Sequence, residues 1–240
     1  MELDAIPADT LEQIERIGSA DVVVGVLRRD PEGEANGAAR LVREALGSLP
    51  ATGRTVLIHN NGAAAGTPRD APAENGVYVL SCGLSGGDLA GEPEQGVADA
   101  YRVIFAAGGK LAARACGVIA SDLRAVTPQW ILELVQPVLE KAFDLVTPCY
   151  AGHKYDGLLN KSMVAPLHRA LYGVRIESPM GPDFGVSDKL LGQLLARNPQ
   201  TGRAGAPPLA ASISAAAASA GLQICEANPS SSRYRRFQRF

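Results

Sequence analysis

Short apolar runs alternate along this chain with segments of helical spacing, and that alternation limits the fold more than any single residue does. Asp21-Val22-Val23-Val24-Gly25-Val26 is a β-branched run between polar flanks, the pattern of a strand buried on both faces. Thr55-Val56-Leu57-Ile58, Val77-Tyr78-Val79-Leu80 and Cys116-Gly117-Val118-Ile119 repeat that pattern, and a further strand is expected from Phe143 to Pro148. Between them, Asn36 to Leu46 places Ala39, Val42, Ala45 and Leu46 on one helical face, and Ala98 to Ala107 reads as a second helix. Pro128 to Lys141 is a third, with its proline in the first turn, where a missing N–H costs nothing. Strand and helix in repeated succession predict an α/β fold, a mainly parallel central sheet flanked by helices. Ligands of such sheets bind where the strands end, so the residues that follow each strand are the first candidates for function.

The organisation expected is an N-terminal helix over residues 1–18, one domain over 19–227 and a basic tail over 228–240. Leu11, Ile14 and Ile17 give the first segment its apolar stripe, and it has neither a basic leader region nor a long apolar one. A cytoplasmic protein is therefore expected. Leu209 to Leu222 is mostly alanine and serine, shorter and less apolar than the roughly 20 residues a membrane helix needs, and reads as a packed helix. With 25 acidic and 23 basic side chains the net charge is −2, so no global field favours nucleic acid or lipid, and partners must be chosen by a local site. Cys82, Cys116, Cys149 and Cys225 form no CxxC pair and read as reduced core thiols. In the tail, Arg233, Arg235, Arg236 and Arg239 alternate with Tyr234, Phe237 and Phe240; a frayed terminus is the reading adopted.

Candidate chemistry clusters after the strands. Ser121-Asp122-Leu123 follows the fourth strand and His59-Asn60-Asn61-Gly62 closes the second as a turn. An aspartate after a strand is by residue type more often a turn former or helix cap than a ligand, and Asn-Gly is itself a common turn. Downstream, polar, glycine and aromatic residues crowd into His153-Lys154-Tyr155-Asp156-Gly157, Pro166-Leu167-His168-Arg169-Ala170-Leu171-Tyr172-Gly173 and Pro179-Met180-Gly181-Pro182-Asp183-Phe184-Gly185-Val186-Ser187, more than burial alone requires. Asp183 reads as a carboxylate held by a tight turn at the sheet edge, or as the cap of a helix starting near Val186. His168 reads as a partly buried helix residue and Trp130, the single tryptophan, as a packing residue.

Those three blocks, together with Ala120-Ser121-Asp122-Leu123 and Pro128-Gln129-Trp130-Ile131, occur in an order that resembles the GT-A glycosyltransferases related to glucosyl-3-phosphoglycerate synthase and mannosylglycerate synthase. The resemblance covers residues 119–187; further toward the N-terminus it concerns element order only. It implies a GT-A (nucleotide-diphospho-sugar transferase) fold and transfer of a hexose from a nucleotide diphosphate sugar to a small hydroxylated acceptor, neutral or anionic. It further implies a divalent cation, Mg²⁺ or Mn²⁺, held by Asp122 against the donor phosphates, because such ions prefer oxygen ligands and stabilise a departing diphosphate.

By the same resemblance Val24, Gly25, Asn60, Asn61, Ser121 and Asp122 would meet the donor. His153, Lys154, Tyr155, Asp156, Arg169 and Asp183 would meet sugar or acceptor, with Asp183 and Asp122 the catalytic pair. Arg169 suits an acidic acceptor, since a guanidinium fork matches carboxylate or phosphate oxygens. Asp183 would take the acceptor proton in an inverting reaction and orient hydroxyls in a retaining one. A homodimer is open.

Three departures bear on the donor phosphates. Ala120 stands at the first carboxylate position of the Asp-x-Asp turn, no histidine occurs after Glu226, and Gly96-Val97-Ala98 lacks the family's lysine. They support an alternative, a catalytically impaired binding or regulatory protein on the same fold with a degenerate metal site. A nucleotidyltransferase fits less well, because Leu27-Arg28-Arg29-Asp30 is not a glycine-rich, lysine-bearing phosphate loop.

Overall fold

The computed structural model describes residues 6–27, 35–49, 53–60, 76–82, 93–120, 127–150, 157–197, 209–227 and 235–236. In chain order the elements are α1 (Ala8–Ile17), β1 (Val22–Leu27), α2 (Ala35–Gly47), β2 (Thr55–Asn60), β3 (Val77–Cys82), α3 (Pro93–Lys110), β4 (Ala115–Ala120), α4 (Pro128–Lys141) and β5 (Leu145–Pro148). A π-helical turn (Asn160–Val164) then runs into α5 (Ala165–Tyr172), followed by β6 (Phe184–Ser187), α6 (Asp188–Arg197), α7 (Leu209–Ser219), β7 (Ile224–Ala227) and β8 (Arg235–Arg236).

The strands form one sheet in the order β3-β2-β1-β4-β6-β5-β7-β8. β1 lies parallel between β2 and β4, and every one of its residues is buried, as its unbroken apolar run requires. β3 runs parallel to β2 and β7 parallel to β5, whereas β6 is antiparallel to both β4 and β5. The sheet is thus mainly parallel, as expected, with one reversed strand at its centre. That reversal decides where the site lies: β6 begins at the edge where β4 and β5, both antiparallel to it, end.

Alternate residues of β1 face two separate cores. Val23 and Leu27 join the side chains of α1, α3, α6 and α7, while Val22, Val24 and Val26 join those of α2 and α4. Burying apolar area on both faces at about 25 cal/mol per Å² is what makes such a sheet stable. Two glycines set how closely the layers approach. A β-carbon at Gly25 would lie 2.2 Å from Ile104 of α3, and one at Gly185 of β6 would lie 2.0 Å from the carbonyl oxygen of Leu134 in α4. α4 begins as its sequence suggests, with Thr127 Oγ1 accepting from the N–H of Trp130 at 3.2 Å and proline in the first turn. None of the helices described is long and apolar enough to cross a membrane. The packed-helix reading of the alanine-rich segment matches α7, which buries Ile213, Ser214, Ala216, Ala217 and Ala218.

Two expectations change. His59 and Asn60 belong to β2 and not to a turn, because backbone pairing with Ser81 and Cys82 of β3 carries the strand past its apolar run. No helix starts at Val186, which is in β6; α6 starts at Asp188, and Ser187 Oγ accepts from the N–H of Leu190 at 3.2 Å as its cap.

Candidate ligand site at the carboxyl edge of the sheet

Asp183 immediately precedes β6, whose first residue, Phe184, pairs with Val118 near the end of β4. Its carboxylate therefore sits at the edge where β4 and β5 finish. It is 0% exposed. Tyr150, two residues past β5, donates its hydroxyl to Asp183 Oδ2 at 2.9 Å. From the other layer, Tyr101 of α3 donates to the carbonyl of Pro182 at 3.0 Å and stacks on Phe184 with ring centroids 5.6 Å apart. Gly181 fits beneath, where a β-carbon would come within 2.7 Å of Pro148. The 181–183 turn is thus fixed from both faces of the sheet.

A buried carboxylate costs several kcal/mol of desolvation unless it is hydrogen-bonded, and a turn needing only geometry is served as well by asparagine or serine. Tyr150 is shaped by the same contact. Burial first, and then the Asp183 charge beside it, push its phenol well above its ordinary pKa of 10.0, so it remains a donor across the physiological range. Trp130 packs on Tyr150 at 6.0 Å between ring centroids and is itself buried, which agrees with a packing role.

The remaining sequence candidates divide into three groups. Val24 and Gly25 lie within β1 in the packed interior, Val24 in the core and Gly25 under Ile104, so neither presents a side chain at the edge. Arg169 is exposed on α5, and Asn60 ends β2 at the carboxyl edge. Asn61, Ser121, Asp122, His153, Lys154, Tyr155 and Asp156 lie outside the described residues. Ala120, two positions before Asp122, is the last residue of β4.

Sequence reasoning missed a second polar group at this edge. Cys149 Sγ and the carboxylates of Glu177 and Glu226 lie within 4.8 Å of one another. The thiol is 3.5 Å from Glu177 Oε2, and Glu226, 3% exposed, accepts from the N–H of Glu177. These groups satisfy each other, and a thiol is a poor ligand for Mg²⁺ or Mn²⁺, so the trio does not suit the hard cation the resemblance implies. The one available signal was Glu226 itself, a charge inside the otherwise apolar strand Ile224–Ala227. By contrast, Asp144 at the opposite edge is structural: it accepts from Ser187 Oγ and from the N–H of Gln223, both at 2.9 Å, tying β5 to β6 and to the turn before β7.

Cys116, Cys149 and Cys225 are free thiols. Burial raises Cys116 and Cys225 to about 12, as expected of core thiols. His168 is buried on α5, its ring 4.8 Å from Tyr172, and burial holds its pKa below the usual 6.5 against the weaker opposing pull of the backbone carbonyls of Val174 and Ser214. The unfolded chain therefore takes up this proton before the folded one does. Stability should be complete above about 6.5 and decline as the pH falls below it. Melting curves at pH 7.5 and pH 5.5 should show a larger loss for the native chain than for His168→Phe; equal losses would contradict this assignment.

An α/β sheet with a buried acid–phenol pair at its carboxyl edge is the class of ligand-binding architecture that fold and site define. No family model and no curated protein matches the sequence. Among solved structures, the chain is similar to glucosyl-3-phosphoglycerate synthase from Mycobacterium tuberculosis in complex with Mn²⁺, UDP and phosphoglyceric acid, at 18% identity, with a TM-score of 0.43, covering 77% of this chain and 61% of that one. It is also similar to mannosyl-3-phosphoglycerate synthase from Rubrobacter xylanophilus, at 19% identity and a TM-score of 0.46, covering 77% and 58%. The chain thus spans about three-fifths of the length of these proteins.

Proposed function

We propose that this protein is a glycosyltransferase of the GT-A type, moving a hexose from a nucleotide diphosphate sugar to a small hydroxylated acceptor. The observation that carries the reading is Asp183: a fully buried, hydrogen-bonded carboxylate at the carboxyl edge, inside one of five sequence blocks that occur in the order of that family. In the transfer, an acceptor oxygen bonds the anomeric carbon while the bond from that carbon to the phosphate oxygen breaks, and the diphosphate leaves with the electron pair. In an inverting reaction Asp183 accepts the acceptor's proton, and Tyr150 steadies the carboxylate by donating to its other oxygen. In a retaining reaction the proton goes to the leaving phosphate and Asp183 orients hydroxyl groups.

Asp122, shared with the donor phosphates, is the residue assigned to a Mg²⁺ or Mn²⁺ ion, which when bound stabilises the charge on the leaving diphosphate. Ser121, Asn60 and Asn61 are assigned to the donor, and His153, Lys154, Tyr155, Asp156 and Arg169 to sugar and acceptor. An anionic acceptor such as a phosphoglycerate suits the cationic pair Lys154 and Arg169. Because β4 ends in Ala120 where a second carboxylate would stand, the rival reading is a nucleotide-sugar-binding protein without turnover.

Isothermal calorimetry with UDP-glucose separates these readings from their failure. Binding that requires Mn²⁺ and disappears in Asp122→Ala is expected, with turnover in the presence of 3-phosphoglycerate for the enzyme and none for the binding protein. Absence of binding to uridine and guanosine diphosphate sugars, with and without Mn²⁺, would refute both.

A further inference from the structure

Cys149, Glu177 and Glu226 come from three separate segments, and backbone hydrogen bonds hold those segments together. The N–H of Cys149 donates to the carbonyl of Ala227 at 2.8 Å, which carries the pairing of β5 with β7 one step past Pro148. Thr147 is paired with Glu226, and the two-residue period of a strand brings Cys149 to the same face. Glu177 is tied in through its own N–H, which donates to Glu226 Oε1. The result is one thiol and two carboxylates, each offering a donor atom within 4.8 Å of the others. Glu226 is buried in a strand whose other residues are Ile224, Cys225 and Ala227, where packing alone gives no reason for a carboxylate. Cys149 and Glu177 are half-buried, so the cluster can be reached from solvent.

We infer that this cluster binds a divalent cation of the zinc class, at a site separate from the one Asp122 would offer a diphosphate-bound ion. The donor set selects the metal: thiolate sulfur suits zinc and its borderline neighbours, whereas Mg²⁺ and Mn²⁺ prefer oxygen alone. Spacing agrees with it. Tetrahedral zinc, with bonds of about 2.3 Å to sulfur and about 2.0 Å to oxygen, sets those two ligands roughly 3.5 Å apart. Cys149 Sγ lies 3.5 Å from Glu177 Oε2. Charge agrees as well. A thiolate and two carboxylates carry three negative charges; the ion cancels two, and Arg175, 3.5 Å from Glu177 Oε1, stands beside the third. On binding, the Cys149 thiol releases its proton to solvent, its sulfur donates an electron pair to the metal, and water fills the fourth position. The ion would then clamp the end of β5 to β7 one residue before Tyr150, whose hydroxyl holds Asp183.

Calorimetry with Zn²⁺ on the native chain, without nucleotide, tests this, and none of its readouts depends on sugar transfer. One ion per chain should bind, and Mg²⁺ in roughly thousandfold excess should not displace it. Co²⁺ in place of zinc should give the sulfur-to-cobalt charge-transfer absorption that only a thiolate ligand produces. Cys149→Ser should abolish that band and weaken Zn²⁺ binding by roughly a hundredfold or more, beyond the cost of losing an outer-sphere partner. Glu226→Gln should weaken it similarly; where that buried variant fails to fold, the half-buried Cys149→Ser decides with the cobalt spectrum. Asp122→Ala should bind zinc as the native chain does, which separates the two sites. Zinc at about a hundred times its dissociation constant should raise the melting temperature by roughly 5 °C in the native chain, and not in Cys149→Ser. Absence of zinc binding, a cobalt complex without the band, binding undiminished in Cys149→Ser, or binding lost in Asp122→Ala would each overturn the inference.

Discussion

Asp183→Asn should lower kcat for sugar transfer by roughly 100-fold or more, the usual worth of a positioned acid–base or orienting carboxylate. Donor affinity in Mn²⁺ should stay within about threefold, because in this account the carboxylate serves sugar and acceptor while Asp122 serves the diphosphate. The amide retains an oxygen to accept from the Tyr150 hydroxyl, now 2.9 Å from Asp183, so the turn should persist. Steady-state kinetics together with calorimetry check both halves. Tyr150→Phe provides the companion measurement: it keeps the charge, removes one hydrogen bond to it, and should cost about tenfold, in line with a bond to a charged group. Full activity in Asp183→Asn would reduce this residue to an architectural role.

Gly185→Ala should destabilise the fold by about 3 kcal/mol or more, because the added carbon would lie 2.0 Å from a backbone oxygen of α4, which no rotamer change can move. For a chain of this size that corresponds to a melting temperature lower by roughly 10 °C. Gly192→Ala is the control: it lies in α6, nothing stands within 4 Å of a β-carbon there, and alanine should raise stability by about 0.5–1 kcal/mol. Equal melting temperatures for the two variants would contradict the close packing of the reversed strand β6 on α4. The site depends on that packing, since β6 carries Asp183 to the edge.

The sequence disclosed the parallel part of the sheet because buried strands write themselves as apolar, largely β-branched runs, as in Val22 to Val26 and Thr55 to Ile58. α4 was legible through Pro128 in its first turn. β6 was not. Its four residues include a glycine and a serine, and their strand conformation comes from pairing with β4 and β5, not from any local pattern. The same holds at His59 and Asn60, where pairing with β3 overrides turn-like residue types. In the site, Asp183 stood out because glycines and a proline crowd around it. Its partner Tyr150 did not, since the bond spans 33 positions and a tyrosine after a strand has many uses. Val24 and Gly25 were read toward the donor because their strand is in the right place; packing against Ile104 and the α2–α4 layer explains them instead. Contacts of Asp122 and of residues 153–156 fall outside the described residues, and their assignments rest on motif order.

If a nucleotide diphosphate and its cation bind where β4 ends, the anomalous scattering of Mn²⁺ in crystals soaked with UDP-glucose will locate them there. One manganese peak is expected, coordinated by Asp122 and by diphosphate oxygens, with the hexose directed toward Asp183. A manganese peak on Cys149, Glu177 and Glu226 with no nucleotide beside Asp122, or nucleotide bound at any other edge of the sheet, would contradict it.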